Sequence, residues 1–257
     1  MKETDEKPLY LSVPKKQKLS RIIGYIGNTA GKTCLDIGSD NGVISWFLRK
    51  NGGEWSSVDL DEETVNSIRG FVGENVFLVD GLKLPFRDDY FDTAVIVDFL
   101  EHIEDDETFI RELHRVMKNS STLVVNVPLI RGNSLLGRIK EYAGYTDEKH
   151  GHVRPGYTLS SLKHLLNGGF SVEEHAAYIG LFTELIDTIT TILLFKIGRV
   201  KTGRKGMVVA GGRGKKQGFF SLYRLFHPLF ETFSSLDKLV PFKSGANLIL
   251  RAECIKP

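Results

Sequence analysis

The feature that most constrains this chain is a regular alternation of short apolar segments with helix-period segments, which runs from Thr33 to Tyr178. The apolar segments are rich in β-branched residues and have the length of strands. Several are apolar throughout, as expected for parallel strands whose two faces are both covered by helices. The alternation therefore indicates a doubly wound α/β sheet. The predicted strands are Thr33–Gly38, Ser57–Leu60, Asn75–Asp80, Thr93–Phe99, Thr122–Val127, Phe170–Tyr178 and Asn247–Ile255.

Helix-period segments separate the predicted strands. Val43–Lys50 and Asp106–Lys118 carry apolar residues at core spacing, and the second has acids at its start and a lysine at its end, as the helix dipole favours. Asp61 and Thr158 each stand just before a further segment of this kind. We expect both to cap helices, because a side-chain oxygen can accept hydrogen bonds from the free amides of the first turn.

Composition excludes some classes of protein. A chain of 257 residues can bury a substantial core, and its formal net charge of +2 is too small to imply nucleic acid by itself. Cys34 and Cys254 each lie in a predicted strand, so we expect two reduced core residues in a cytoplasmic protein. The segment Met1–Lys18 is polar and lysine-rich, and we expect neither a signal peptide nor a membrane anchor there.

The alternation breaks between Leu181 and Phe242. Two apolar helix-like segments, Leu181–Ile197 and Phe219–Phe242, flank a glycine-rich basic loop, and no Asp or Glu occurs from residue 188 to residue 230. The first segment is too short and too charged to span a bilayer. Aromatic amphipathic helices beside a basic loop favour an interfacial element over residues 181–242 that is attracted to anionic lipid. A lid over the site and an RNA-binding patch stay open as alternatives.

These patterns predict one domain over residues 1–257. An N-terminal tail and helix over residues 1–32 precede a core over residues 33–178. The amphipathic, basic insertion takes residues 179–246, and the last strand falls within residues 247–257. The final strand returns to the sheet, which makes the interruption an insertion inside the domain.

The first strand runs into the turn Leu35–Gly42, with the sequence LDIGSDNG. Glycines at a strand-to-helix turn let the backbone approach a ligand closely, at the sheet edge where open α/β sheets bind ligands. Asp59 ends the second strand, where a carboxylate can accept hydrogen bonds from both hydroxyls of a ribose. Asp80 ends the third and can accept one from an adenine amino group. A dinucleotide dehydrogenase fits less well, since the turn lacks the third glycine of G-x-G-x-x-G.

In these stretches the chain resembles the class I S-adenosylmethionine-dependent methyltransferases, especially their small-molecule branch. The resemblance covers Arg21–Tyr178 and the final strand. It implies a Rossmann-like sheet of seven strands with a reversed last hairpin, and S-adenosylmethionine as cofactor. The similar segments are Leu35–Gly42, Val58–Leu60, Val79–Phe86, Tyr90–Ile103, and His152–Thr158 followed by Gly169 and Phe170.

The resemblance also implies roles for single residues. Gly38 and Gly42 would line the methionine end of the cofactor, Asp59 would bind the ribose and Asp80 the adenine. Asp36 would help to hold the turn and the ammonium group. The other positions that the resemblance places at the cofactor are Ser39, Asp40, Leu60, Gly81 and Asp98.

Asp40 departs from the family pattern, which has a glycine in the middle of the turn. Aspartate tolerates the left-handed backbone better than most residues, so we expect the turn to survive. Its carboxylate would favour the ammonium group of the cofactor and oppose the carboxylate group, which are two effects of opposite sign on affinity.

His102 and His152 are the favoured candidates for the catalytic base, and His150 is a further one. Methyl transfer from a sulfonium needs alignment above all, but a hydroxyl acceptor also needs a base that titrates near neutrality. His102 follows the fourth strand and His152 lies in the loop after the fifth, where the acceptor should bind. A helix-start role for His102 stays open, as does Tyr157 as a neighbour of His152. We predict no metal site, because the histidines and cysteines lack ligand spacing.

The sequence therefore predicts an enzyme that transfers a methyl group to a hydroxyl, or less favourably to carbon or nitrogen, of a small molecule. An amphiphilic or lipid-linked acceptor fits the insertion, and places the protein in the cytoplasm or peripherally on the cytoplasmic face of a membrane. A catalytically degenerate scaffold or cofactor-binding regulator is the first alternative. An RNA methyltransferase that uses the basic insertion is the second, with nucleic acid the least favoured partner.

Overall fold

A computed structural model describes residues 12–131, 152–196, 227–239 and 245–256, together with Leu136 and Tyr142. Seven strands of this part form one sheet in the order β3-β2-β1-β4-β5-β7-β6. Their neighbours pair in parallel except at β7, which is antiparallel to both β5 and β6. The predicted doubly wound sheet with a reversed last hairpin is confirmed. The strands are β1 Thr33–Ile37, β2 Glu54–Asp59, β3 Val76–Leu78, β4 Phe91–Val97, β5 Met117–Pro128, β6 Phe170–Tyr178 and β7 Asn247–Cys254.

Helices connect these strands and begin where the sequence predicts caps. Asp61 accepts hydrogen bonds from the amides of Glu63 and Thr64, and Thr158 accepts one from the amide of Ser161. The helices are α1 Val13–Ile26, α2 Val43–Lys50, α3 Glu62–Val72, α4 Asp106–Val116, α5 Leu159–Leu166, α6 Leu181–Lys196 and α7 at residues 227–234. Short 3-10 segments lie at Leu100–His102 and Ser235–Leu239.

The core has a layer on each face of the sheet. Successive β4 residues point to opposite faces, so Ala94 and Ile96 pack in one layer while Val95 and Val97 pack in the other. Helices α4 and α5 cover the first layer, and α1 and α2 cover the second. Burial on both faces explains why these strands read as unbroken apolar runs.

Strand and helix ends differ from the predictions where backbone pairing decides them. Helix α4 ends at Val116 rather than at Lys118, because Met117 is extended and pairs with Phe91 in the sheet. β5 is correspondingly longer than predicted, and β3 stops at Leu78. Asp80 therefore lies two residues beyond its strand, in a loop.

The insertion begins with α6, whose first turn is capped from a distance. The carboxylate of Asp237 accepts hydrogen bonds from the amides of Phe182 at 2.8 Å and Thr183 at 3.1 Å. The predicted basic loop lies outside the described residues. Among the described helices, none is both long enough and apolar enough to cross a membrane.

Candidate active site

The turn between β1 and α2 depends on two glycines in the left-handed region. Gly38 has a φ of +80°, and a Cβ there would lie 2.7 Å from both the Val97 carbonyl oxygen and the Phe99 Cβ. Gly42 has a φ of +83°, and a Cβ there would lie 2.7 Å from the Ile68 Cα. Neither position can accept a side chain without moving backbone. The turn is therefore fixed by its sequence rather than by a ligand.

Asp40 keeps this turn in its left-handed form. Its φ is +53°, so the predicted survival of the turn is confirmed. Its side chain is 53% exposed, and the Lys15 Nζ lies 3.4 Å from its Oδ2. A cation from α1 thus stands beside the carboxylate that would oppose the cofactor's own carboxylate.

Asp36 lies beneath the turn and is fully buried. Its carboxylate accepts hydrogen bonds from the hydroxyls of Ser39, of Ser45 at 2.5 Å and of Ser57 at 2.8 Å. Burial raises the pKa of this carboxyl, while the three hydroxyls and the charge of Arg49 lower it. Asp36 holds the turn, as predicted. The expected contact with an ammonium group is not open to a carboxylate that has no exposed surface.

Asp59 ends β2 and is half-buried. Its Oδ1 accepts a hydrogen bond from the Leu60 amide at 2.8 Å. Burial, together with the nearby charges of Asp36 and Asp40, raises the pKa of Asp59 to about 7, although the hydrogen bond from Leu60 opposes the shift. A carboxylate has about four acceptor positions, so Asp59 retains the capacity to bind two ribose hydroxyls.

Asp80 is exposed and organises its own loop. Its Oδ1 accepts hydrogen bonds from the amides of Leu82 and Lys83, both at 2.9 Å. These two hydrogen bonds lower the pKa of Asp80, so the carboxylate is ionised near neutral pH. Contact with an adenine amino group stays a prediction.

At Gly81 the loop after β3 packs closely against the loop after β4. Its φ is +78°, and a Cβ there would lie 2.7 Å from the Ile103 Cγ2 and 3.3 Å from the Leu60 Cδ2. Leu60, Gly81 and Ile103 therefore form one apolar wall next to Asp59. A flat apolar base could pack against such a wall.

Asp98 ends β4 with a left-handed φ of +47°. Its carboxylate pairs with Lys18 of α1, and its Oδ1 accepts a hydrogen bond from the Asn126 side-chain amide at 2.7 Å. The side-chain oxygen Oδ1 of Asn126 in turn accepts a hydrogen bond from the Tyr178 hydroxyl. Sequence reasoning missed Lys18, because a polar lysine-rich segment predicts a solvated tail. The buried face of α1, with Leu19 among its residues, was the available signal.

The two predicted histidines lie together. The ring centroids of His102 and His152 are 4.7 Å apart in an edge-to-face arrangement, although the residues are fifty positions apart in the chain. Glu101 lies with them, and one ligand atom from each of the three side chains falls within 4.8 Å of the others. Sequence reasoning named the histidines but missed Glu101, and no spacing rule would have joined the three.

Arg154 holds the loop that carries His152 against the loop after β4. It donates hydrogen bonds to the carbonyls of Ile103 at 2.9 Å and Glu104 at 2.8 Å, and it pairs with Asp106. The Tyr157 hydroxyl donates to Asp106 at 2.6 Å. Tyr157 thus belongs to the same set of contacts that Arg154 makes between the two loops. The sequence had left open whether Tyr157 is a neighbour of His152.

Sequence comparison agrees with this geometry from β1 to β5. Residues 35–125 match the family model described as a methyltransferase domain. The chain is 31% identical over 102 residues to norajmaline N-methyltransferase of Rauvolfia serpentina, covering 37% of this chain and 35% of that protein. It is 26% identical over 119 residues to ubiquinone biosynthesis O-methyltransferase of Nitrosomonas europaea, covering 44% and 50%. The matches thus span about a third to a half of these relatives.

Solved structures extend the likeness to nearly the whole chain, at the level of the fold. A SAM-dependent methyltransferase from Archaeoglobus fulgidus aligns with a TM-score of 0.55 at 19% identity, covering 97% of each chain. The [4+2]-cyclase SpnF aligns with a TM-score of 0.61 at 17% identity, covering 99% of this chain and 86% of that one. The predicted Rossmann-like methyltransferase fold is confirmed, and the match to a methyltransferase domain covers residues 35–125. The cyclase shows that the fold alone does not define the reaction.

Proposed function

We propose that this protein is a methyltransferase that uses S-adenosylmethionine to methylate a small acceptor. The observation that carries the proposal is the pairing of a rigid glycine turn with a partly exposed Asp59 on the neighbouring strand. The turn admits close approach of a ligand, and Asp59 retains acceptor capacity for a ribose. The methyltransferase domain match over residues 35–125 supports the same reading.

In this proposal the chain's own residues bind and orient the cofactor. Asp59 accepts hydrogen bonds from the ribose, and the wall of Leu60 and Gly81 contacts the base. Lys18 provides a cation for the carboxylate group, since it already stands beside Asp98 at the same sheet edge. The cofactor supplies the activated methyl group, so the protein's main task is to align the acceptor and exclude water.

We assign a hydroxyl as the favoured acceptor group, on the strength of the histidine pair. An imidazole titrates close to neutral pH and can accept a hydroxyl proton during transfer. His102 lies in the 3-10 segment that follows β4, and His152 lies in the segment between β5 and α5. The two relatives compared above are named for O- and N-methylation respectively, so their names do not fix the acceptor atom.

We further propose that the insertion rests on a membrane and that the acceptor is amphiphilic. Large apolar side chains of α6, α7 and the following 3-10 segment face solvent: Leu229 is 61% exposed and Leu239 is 78% exposed. The sequence adds nine lysines and arginines and no acid from residue 188 to residue 230. Both features favour an anionic lipid surface on the cytoplasmic side. One relative is named for ubiquinone biosynthesis, and ubiquinone is itself a prenylated lipid.

Calorimetry with S-adenosylmethionine and S-adenosylhomocysteine tests the cofactor. We expect Asp59→Ala to weaken binding more than tenfold, since a hydrogen bond to a charged group contributes about 1.5–3 kcal/mol. Glu62→Gln, at an exposed position three residues further on, is the control and should bind as the wild type does. Absence of binding to the wild type at millimolar concentration would reject the proposal.

Flotation with liposomes tests the membrane. We expect recovery with anionic vesicles and little with neutral ones, and the double variant Leu229→Glu/Leu239→Glu should lose it. Ile255→Glu places one such charge on a residue that is 48% exposed, just beyond the far end of β7, and should float normally. Equal recovery of the wild type with both vesicle types would exclude the charge-assisted mode of binding.

A cofactor-binding regulator or scaffold is the second candidate function. A chain with the same fold is named a cyclase, and Asp40 stands where the family has a glycine. Transfer of labelled methyl groups into lipid extracts separates the two. A protein that binds the cofactor with normal affinity but labels no extract would favour the regulator.

A further inference from the structure

Glu101 is the least satisfied polar group at the carboxyl edge of the sheet. Its side chain has 0% exposure, and neither carboxylate oxygen accepts a hydrogen bond from another residue that the structure describes. Burial and the charge of Asp98 raise the pKa of Glu101 well above its usual value, and Lys18 only partly opposes them. Buried carboxylates in folded proteins are almost always paired, so a group of this kind calls for a partner.

The side chains around Glu101 are of the kind that bind a metal ion, so its burial is not a packing defect. One ligand atom from each of Glu101, His102 and His152 lies within 4.8 Å of the other two, and both imidazoles are half-buried. Two neighbouring residues supply two of the groups, and a loop fifty residues later supplies the third. A single ion at the centre of such a triangle could contact all three atoms at about 2.0–2.2 Å after small rotations.

The third group is held in place by contacts that do not depend on an ion. The Val153 amide donates a hydrogen bond to the Glu101 carbonyl at 2.9 Å, which fixes the loop next to the glutamate. Arg154 then binds the carbonyls of Ile103 and Glu104, on the far side of His102. Fixed ligands lower the ordering cost of metal binding, so this clamp favours a preformed site.

We propose that Glu101, His102 and His152 bind one divalent transition-metal ion. Two imidazole nitrogens and one carboxylate oxygen suit zinc, cobalt, iron, nickel or manganese, whereas magnesium and calcium prefer oxygen alone. The ion would give the buried carboxylate the positive partner that it otherwise lacks. Sequence reasoning predicted no metal site, because two adjacent residues and a distant histidine form no ligand motif.

Three protein ligands leave at least one coordination position open on such an ion. An oxygen atom of the acceptor could occupy it, and the ion would then orient that oxygen and lower the pKa of its hydroxyl. This role of the ion replaces the base role of the two histidines, because a metal-bound ring nitrogen cannot also accept a proton. This second step rests on the proposed function, while binding of the ion does not. The two are therefore tested separately.

Cobalt(II) is the probe, because its visible absorption bands report imidazole and carboxylate coordination directly. We expect the full-length protein, without cofactor, to bind one equivalent saturably. Glu101→Gln and His152→Gln should each weaken cobalt binding at least tenfold, since changes to supporting residues alone commonly cost 10–100-fold in metal affinity. Zinc should displace the cobalt, and a large excess of magnesium should not.

His164→Gln removes an exposed histidine of α5 and is the matched control for surface binding. Thermal unfolding of each variant shows whether the fold is kept, and His102→Asn provides a second ligand change. The proposal is overturned if the wild type shows no saturable band, or if folded Glu101→Gln and His152→Gln bind cobalt as the control does. Calorimetry with S-adenosylmethionine on the same samples reports the proposed function independently, so either result can fail alone.

Discussion

Each half of the sheet's carboxyl edge buries one acid completely, but the two acids differ in the hydrogen bonds that they accept. Beneath the turn after β1, Asp36 is fully buried and accepts hydrogen bonds from three serine hydroxyls. After β4, Glu101 is buried as deeply and has no such donors among the described residues. Asp36 therefore has its hydrogen-bond partners within the described part of the chain, and Glu101 does not.

This difference in hydrogen bonding suggests different roles for the two halves: the turn around Asp36 is structural, and the surface around Glu101 is the one that binds a reactant. Hydroxyl donors offset the desolvation of Asp36, so the turn is rigid before any ligand binds. No donor among the described residues offsets the desolvation of Glu101, and such groups in native proteins commonly have a functional partner. The comparison therefore teaches that the cofactor side is preorganised, while the side that faces the histidines is built to receive something from outside.

The largest expected effect tests the rigidity of the turn. Gly38→Ala forces a Cβ to within 2.7 Å of backbone and into a left-handed φ, so we expect the free energy of unfolding to fall by about 3 kcal/mol. Gly70→Ala is the control, because nothing lies within 4 Å of a Cβ there and α3 should be stabilised slightly. Denaturant titration measures both. Equal stabilities would show that the turn is soft.

The second prediction neutralises each buried acid with its amide isostere. Asp36→Asn replaces an acceptor with a donor among three serines, so we expect a loss of about 2 kcal/mol. Glu101→Gln removes a carboxyl group that accepts no hydrogen bond from another described residue, so it should leave stability unchanged or raise it. Because the pKa of Glu101 is raised in the folded state, the wild type loses stability as pH rises through that value, so the advantage of Glu101→Gln should grow with pH. Similar losses in both variants, measured at pH 6 and pH 8, would erase the contrast.

The third prediction follows the titration of Asp59. Its pKa is about 7 without ligand, and only the ionised form can accept two hydroxyl hydrogen bonds. Affinity for S-adenosylmethionine should therefore fall up to about tenfold for each pH unit below 7. The raised pKa has the opposite effect on stability of the unliganded protein, which is lost as pH rises from 4 to 7. Asp59→Asn should flatten both profiles in calorimetry and thermal unfolding, whereas a flat wild-type affinity would remove Asp59 from the site.

The smallest effect is expected at Asp40. Its carboxylate is half exposed and paired with Lys15, and exposed pairs contribute only about 0.2–1 kcal/mol. Asp40→Gly restores the glycine of the family pattern, and we expect cofactor affinity to change by less than about fivefold. Lys15→Gln, which removes the partner and leaves the carboxylate, should weaken binding instead. A large gain in Asp40→Gly would show that Lys15 does not offset the charge.

Local pattern sufficed for the order of strands and helices and for the turn. β-branched runs, cap residues and left-handed positions are properties of a few adjacent residues, and Asp61, Thr158 and Gly38 illustrate them. The features that could not be predicted are contacts between residues that are far apart in the sequence. Lys18 reaches an aspartate eighty residues away, and Glu101 meets His152 only because Arg154 joins two loops. The depth of Asp36 is likewise a matter of how α2 and β2 pack around it.

Four consecutive side chains of helix α1 contact two different parts of the protein. Lys15 and Lys18 pair with Asp40 and Asp98 at the cofactor edge, while Lys16 pairs with Glu231 and Gln17 donates a hydrogen bond to Thr183 in the insertion. One turn of helix α1 thus contacts both the pocket and the segment proposed to touch lipid. Removing the residues up to Lys18 would therefore remove the contacts of this helix with both parts at once.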